Sequence, residues 1–412
     1  MQNVYLGREP ILDRDNSLKA YEILYKDNNQ KSDKASRYTS AAVINTILNK
    51  FGTKSLLGKR RAFVKVDEKF LMHDLIFSIP NEFFVYSLVE SVEMNEKVVE
   101  RLQQLHSKGH KLAIDDCEIS EELFLKYRDV LELLSFVKLK LSDSTATTLE
   151  VIKDLKTYDL KVVAVNIGSD AEYQSAIELD CDLFQGYFFA EPKILENAIY
   201  EPSQAAILKL YNLLISDTNI DKITRAFEDN HAITLQLLQF INSGAFHFKN
   251  RISSIGHVLN LVGRIPLSQW LMLMIYSKSV SKNSKVSPLM IMVKNRTELM
   301  EKILKAIKPN VDRDMLGESY FVGVLSLIDT VFCIELKQIL KDIQISQNVE
   351  DALLKNEGTL GEIYTLVQAI EDFDIEHIMN FQKKYTLGNE IIENIILESM
   401  ESVNEFENPS ED

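Results

Sequence analysis

Between residues 62 and 189, short apolar strands and amphipathic helices alternate without a break. That rhythm limits the folds open to this chain more than any other feature. Ala62–Val66, Phe83–Val89, Leu112–Ile114, Ser135–Leu141, Lys161–Ile167 and Leu183–Phe189 read as strands. Helical patterns fill the gaps, as in Glu96–Lys108, where Val98, Val99, Leu102 and Leu105 share a face and Gly109 supplies the stop. Such alternation implies parallel strands joined by right-handed crossovers. The number of units favours a barrel over an open sheet, a choice that periodicity alone leaves open. Upstream, Val4–Gly7 and Lys19–Tyr25 read as hairpin partners around a turn at Pro10–Ser17, which carries Asp13, Asp15 and Asn16. Residues 36–51 read as a helix with Val43, Ile44, Ile47, Leu48 and Phe51 on one face.

The pattern changes at Pro192–Pro202. From Ser203 to about Val403 nearly every segment reads as helix, including Gln204–Ile215, Leu267–Ser277, Pro288–Ile307, Glu318–Thr330 and Asn389–Glu401. The expected organisation is an α/β domain over residues 1–200 and an all-α domain over 201–400. An acidic tail over 401–412, with five acids and no base, is expected to be disordered. The formal net charge of −15 argues against nucleic acid and anionic membranes as partners, since both demand a positive field. Three scattered cysteines form no metal-ligand spacing and fit a reducing compartment. The N-terminus has no signal-peptide pattern, and the most apolar run, Trp270–Tyr276, is too short for a span, so a cytoplasmic protein is expected.

In a barrel the chemistry gathers at the carboxyl ends of the strands. The segment KLAIDDCEIS (Lys111–Ser120) reads as a strand ending in paired carboxylates, Asp115 and Asp116, a pattern that serves metal binding and also ordinary turns and helix caps. The other strand-end residues are Glu22, Lys65 and Asp67, Ser87 and Glu90, Lys138 and Lys140, Asn166 and Gln185. Lys138 and Lys140 alternate with apolar residues inside a strand, which is harder to explain as solvated loop charge.

These residues carry a family resemblance. REPI (Arg8–Ile11), YEILYK (Tyr21–Lys26), FVKVDEKFL (Phe63–Leu71), YSLVES (Tyr86–Ser91), KGHKLAIDDC (Lys108–Cys117), FVKLK (Phe136–Lys140), VVAVNI (Val162–Ile167) and DLFQGYFFAEP (Asp182–Pro192) follow one another in order. Together they resemble an EAL domain, a TIM-like barrel whose active members hydrolyse cyclic di-GMP with metal ions. LLQFINSGAF (Leu237–Phe246) resembles an HDOD domain, a helical relative of HD hydrolases. The pairing implies signal transduction, which in some bacteria controls motility and biofilm.

Against that pattern, Glu22, Glu90, Asp115, Asp116, Lys138 and Gln185 match. Lys65 stands for a ligand Asn, Ser87 for a ligand Glu, Lys140 for an acid, and Val165 and Gly168 for two glutamates. Glu9 and Lys26 replace a Gln and an Arg that contact nucleotide in relatives, and a Lys cannot reproduce a bidentate Arg–phosphate contact. A pair of divalent cations needs a shell of oxygen ligands anchored by carboxylates. The expectation is a lost Mg²⁺/Mn²⁺ site, its acids neutralised by Lys65, Lys138 and Lys140, with no cofactor and no active catalytic residue. The helical half is expected to lack an HD centre: none of His231, His247, His257 and His377 precedes an Asp, and His73-Asp74 reads as a surface pair. Trp270 is expected on a buried helix. The expected partners are proteins, a second copy of this chain among them. The alternatives are a receptor that binds cyclic di-GMP without cleaving it, or a weak phosphodiesterase.

Overall fold

The computed structural model describes residues 4–27, 53–118, 121–141, 146–190, 202–216, 218–230, 255–277, 287–342 and 345–407, together with positions 44, 47, 233, 234 and 237. The chain divides into two compact units. One comprises Met1–Glu191, Ser281–Pro288 and Gln368–Asp412; the other comprises Pro192–Val280 and Leu289–Val367.

Eight strands close the first unit into a barrel in sequence order: β1 Val4–Asp13, β2 Leu18–Asp27, β3 Arg61–Val66, β4 Phe84–Leu88, β5 Lys111–Glu118, β6 Phe136–Lys140, β7 Lys161–Val165 and β8 Leu183–Gln185. β2 to β8 run parallel, while β1 is antiparallel to both β2 and β8. The reversal follows from the short hairpin between β1 and β2. Asn16 takes a left-handed φ of 55°, and the Asp13 Oδ1 accepts from the backbone N–H of Asp15 and Ser17, both at 2.9 Å. The amino end of β1 therefore lies at the same rim as the carboxyl ends of the other strands.

Two strands outrun the sequence reading. β1 continues through Pro10 to Asp13, so the turn is shorter than Pro10–Ser17. Proline is tolerated because the three-residue β8 ends at Gln185, opposite Ile11, and no ladder donor is demanded from residue 10 on that side. β5 does not stop at its acids but runs through Asp115 and Asp116 to Glu118, with a register shift between Ile114 and Cys117. Such a bulge re-aims side chains locally. The last strand is shorter than read, Leu183–Gln185 and not Leu183–Phe189, with a 3-10 turn at Phe188–Ala190, whereas the helix read at Glu96–Lys108 is observed at Glu96–Ser107, which Asn95 caps and Gly109 leaves at φ 81°. Between β5 and β6 the chain forms the helix Glu121–Tyr127 and a 3-10 turn at Leu131–Leu133.

The barrel interior is an apolar tier with every strand contributing. Ile11, Ala20, Phe63, Val85, Ala113, Val163, Val165 and Leu183 cluster there with Phe136. Phe63 and Phe136 meet edge to face at 5.0 Å.

The C-terminal segment departs from expectation. Its last helix, Asn389–Glu407, runs into the first seven residues of the acidic tail and belongs to the barrel's unit, where it packs against Thr53–Leu57. Ile392, Ile396, Met400 and Val403 are buried at helical spacing while Glu401 and Glu405 face out. Glu401 and Glu405, two of the acids that suggested disorder, lie on the solvated face of an amphipathic helix.

The second unit is helical in its described residues. Pro202–Ile215 packs on Arg264–Ser277, and Ile255–Leu261 on Ile220–Glu228. The expected helix Glu318–Thr330 is two, Arg313–Leu325 and Ile328–Phe332, the first capped by Asp312. Gln347–Lys355, capped by Ser346, was not legible. Trp270 is half-buried rather than buried. Of LLQFINSGAF only Leu237 falls within the described residues, and the expected helix 36–51 lies almost wholly outside them. No helix among the described residues is long and apolar enough to cross a membrane.

Candidate functional site: a polar tier at the barrel mouth

Two residues nearer the rim than the apolar tier, the same faces of the strands turn polar. Alternation from Ile11, Ala20, Phe63, Val85, Ala113, Phe136 and Leu183 leads to Glu9, Glu22, Lys65, Ser87, Asp115, Lys138 and Gln185, while from Val163 it leads to Val165, the one position that stays apolar. Strand period, barrel closure and the β5 bulge bring them together.

Lys138 is the hub. Its Nζ donates to Glu22 Oε2 and to Asp115 Oδ1, both at 2.6 Å, and its side chain is 0% exposed. Lys65 Nζ lies 2.7 Å from the other carboxylate oxygen of Asp115, and its side chain is 43% exposed. Two ammonium groups thus hold two carboxylates, and three of the four side chains are buried. Nearby, Gln185 Nε2 donates to Glu9 Oε2 at 2.6 Å. Glu22 Oε1, Ser87 Oγ and Gln185 Oε1 are buried and find no hydrogen-bond partner among the described residues.

Burial pushes the Glu22 carboxyl up to about 7, with the Asp115 carboxylate adding to the shift and Lys138 opposing it. For Lys138 burial works against the charge, but attraction and hydrogen bonds from Glu22 and Asp115 outweigh it and hold the ammonium above the usual lysine value. The charge arrangement is self-contained, each member stable only while its partners remain.

The fit to divalent metal is poor. No group of three or more His, Cys, Asp or Glu among the described residues could hold a metal ion. Val165 offers no donor atom, Ser87 offers only a hydroxyl, and Glu22 and Asp115 already face ammonium groups.

Other expected site residues lie elsewhere. Asp67 leaves β3 and caps Glu68–Leu71, accepting from Phe70 N at 2.8 Å. Glu90 is exposed beyond β4, and its carbonyl accepts from Lys126 Nζ. Gly168 is exposed, its N–H donating to Glu172 Oε2 at 2.8 Å as part of the start of Asp170–Glu178. Asn166 is exposed, with φ 61°. Lys140 sits further along the face of β6 that carries Lys138 and is half-buried; the ion pairs to Glu22 and Asp115 come from Lys138 and Lys65. The Asp116 backbone lies in β5, and its side chain is outside the described set. His73 caps a 3-10 turn and Asp74 pairs with Arg101 at 3.1 Å, a surface arrangement. His377 is exposed near Asp374, and the side chains of His231, His247 and His257 lie outside the described residues. The Glu9–Gln185 contact is not visible in the sequence pattern, where Glu9 stands only as the replacement of a nucleotide-contacting Gln. The Ile11–Gln185 register of β1 and β8 was the missing signal.

A closed barrel with one reversed strand and a polar tier at the carboxyl rim, and a unit that is helical in its described residues, define the class as a two-domain α/β-barrel and all-α protein. The EAL domain model matches residues 65–192 and the HDOD domain model matches residues 204–353, so the chain carries an EAL domain followed by an HDOD domain, domains of cyclic di-GMP signalling. Over 399 residues, 94% of each chain, it is 26% identical to the protein YuxH of Bacillus subtilis strain 168. It is 22% identical over 391 residues, 91% of this chain and 86% of the relative, to the cyclic di-GMP phosphodiesterase CdgJ of Vibrio cholerae serotype O1. Among solved structures it is similar to the PaMucR phosphodiesterase in complex with c-di-GMP, at 17% identity and a TM-score of 0.36, covering 45% of this chain and 95% of that one. A second is the Xanthomonas citri FimX EAL domain with c-diGMP, at 14% identity and a TM-score of 0.37, covering 46% and 87%.

Proposed function

We propose that this protein is a non-catalytic member of cyclic di-GMP signalling and acts through protein–protein contacts, its EAL barrel holding an internal ion cluster where active relatives bind metal. The observation that carries the reading is the hub itself: Lys138 bridges Glu22 and Asp115 at 2.6 Å while Lys65 takes the second oxygen of Asp115 at 2.7 Å. An ammonium neutralises the same acids as a cation but opens no coordination position and activates no water. The substitutions at Ser87 and Val165 support the reading, because they remove carboxylates that would compete for metal against the lysines. The helical half adds no hydrolase centre in this account.

Calorimetric titration of the full chain with Mn²⁺ and Mg²⁺ tests the loss of the metal site. The expected result is no stoichiometric binding at micromolar concentration; stoichiometric binding that Asp115→Ala abolishes overturns it. Titration with labelled cyclic di-GMP separates the scaffold from a receptor that binds without cleaving, and micromolar saturation would favour the receptor.

A further inference from the structure

Active-site relics are not the only device at the rim. We infer that the turn carrying Phe373 is a built-in cover on the β1–β2 side of the barrel mouth, and that entry to the polar tier from that side requires it to move. The contact is close. A Cβ built on Gly7 would lie 2.8 Å from Phe373 Cδ2 and 3.1 Å from its Cε2, with Leu24 Cβ at 3.6 Å, so the ring sits directly on the bare backbone of β1. Gly7 pairs with Leu24, and Glu9 with Glu22. Strand alternation puts Gly7 and Leu24 on the same face as Glu9 and Glu22, one step nearer the rim. Because β1 runs antiparallel to its neighbours, that step lies at the mouth and not at the barrel floor.

The turn is constructed to present this ring. The helix Gly358–Glu371 ends with Asp374 N donating to Ala369 O at 2.8 Å, leaving Phe373 in the left-handed region at φ 56°. Glycine is the usual occupant of that capping position, and an aromatic residue there is strained. Asp374 then caps the next helix, Ile375–Tyr385, accepting from His377 N at 3.1 Å. The turn is thus pinned on both sides. The same C-terminal segment also holds the next residue of β1: Arg8 Nη1 donates to Asn404 Oδ1 at 3.1 Å and to Leu56 O at 2.7 Å, its guanidinium lying over the Tyr21 ring. Consecutive residues of one strand are therefore engaged by two parts of one strap. Glu371 sits close enough to help raise the Tyr187 phenol, after burial, while the Tyr187 hydroxyl donates to Arg8 O at 3.3 Å.

A reporter thiol placed under the ring tests the cover. In the full chain carrying Glu9→Cys, the rate of labelling by a charged methanethiosulfonate is read at that position by peptide mass spectrometry. Buried Cys181 in the same molecule reports whether the barrel stays folded. Adding Phe373→Ala, or Gly7→Ala, whose methyl would displace the ring, is expected to speed labelling at least tenfold with Cys181 silent. Phe373→Tyr is expected to keep the slow rate. Equal rates with and without the ring overturn the inference. So does simultaneous labelling of Cys181, because the ring would then be part of the barrel's core and not a cover.

Discussion

Replacing Lys138 by Met removes the ammonium but keeps most of the side-chain volume in a fully buried place. Asp115 retains Lys65 at 2.7 Å; Glu22 loses the ammonium that donates to it at 2.6 Å. Burial already moves the Glu22 carboxyl from 4.5 to about 7, and 7 − 4.5 is 2.5, which makes its ionised form cost roughly 3 kcal/mol even with Lys138 in place. Breaking a buried pair from one side typically costs about 3–5 kcal/mol. The sign with pH follows from proton counts. Between 4.5 and about 7 the folded state binds more protons at Glu22 than the unfolded state, so this group's contribution to stability falls as pH rises through that window. Without Lys138 the window extends upward, so Lys138→Met is expected to be mild at pH 5 and severe at pH 8. Trp270 lies in the helical unit and does not report on the barrel; Cys117 and Cys181, both buried in it, do. At pH 8 their exposure to a thiol reagent is expected to rise by about two to three orders of magnitude, the equivalent of that penalty at roughly 1.4 kcal/mol per tenfold. Adding Glu22→Gln to Lys138→Met is expected to recover most of the loss. Unchanged protection at pH 8, or a loss equal at pH 5 and pH 8, refutes the reasoning.

Other expectations follow from packing. Deleting residues 390–412 removes the helix that accepts Arg8 and covers Thr53–Leu57, and is expected to raise amide exchange in β1 and in 53–57 well before any change at Trp270. Burial lowers the pKa of His110, with Lys108 adding to the effect, so its contribution to stability is lost as pH falls below the unfolded value near 6.5. His110→Phe is expected to remove its rising contribution between pH 5 and 7 and leave the opposite slope from Glu22, so that barrel stability falls as pH rises through that range, followed by urea midpoints from Cys181 labelling. In the helical unit, a Cβ on Gly323 would meet the Thr297 backbone at 2.8 and 2.9 Å. Gly323→Ala is expected to cost about 1–3 kcal/mol there, read as a lower urea midpoint of Trp270 fluorescence with Cys181 unaffected.

Closure into a barrel, which period leaves open, was legible from the number of units and the EAL resemblance; the strands and the acids at their ends were legible because those signals depend only on period. The interior polar tier was legible residue by residue for Glu22, Lys65, Ser87, Asp115, Lys138 and Gln185 for the same reason. What period cannot show is register. The bulge after Ile114 and the reversed, lengthened β1 decide which acids face inward and why Glu9 finds Gln185. Asp67 shows the other limit: an acid just beyond a strand is as serviceable to a helix N-cap as to a site, and capping prevailed. The tail misled because charge was weighed without periodicity, although Met400 and Val403 continue the buried face. The strap formed by Phe373 and Asn404 joins residues hundreds of positions apart, and no local pattern foretells it.

The central claim is that lysines have replaced the metal chemistry of the barrel. Its most direct measurement is hydrolysis of cyclic di-GMP by the full-length protein at high enzyme concentration with Mn²⁺ or Mg²⁺, following the linear dinucleotide by chromatography. The account predicts no product above the buffer control. Turnover that depends on added metal and is abolished by Asp115→Asn would contradict it.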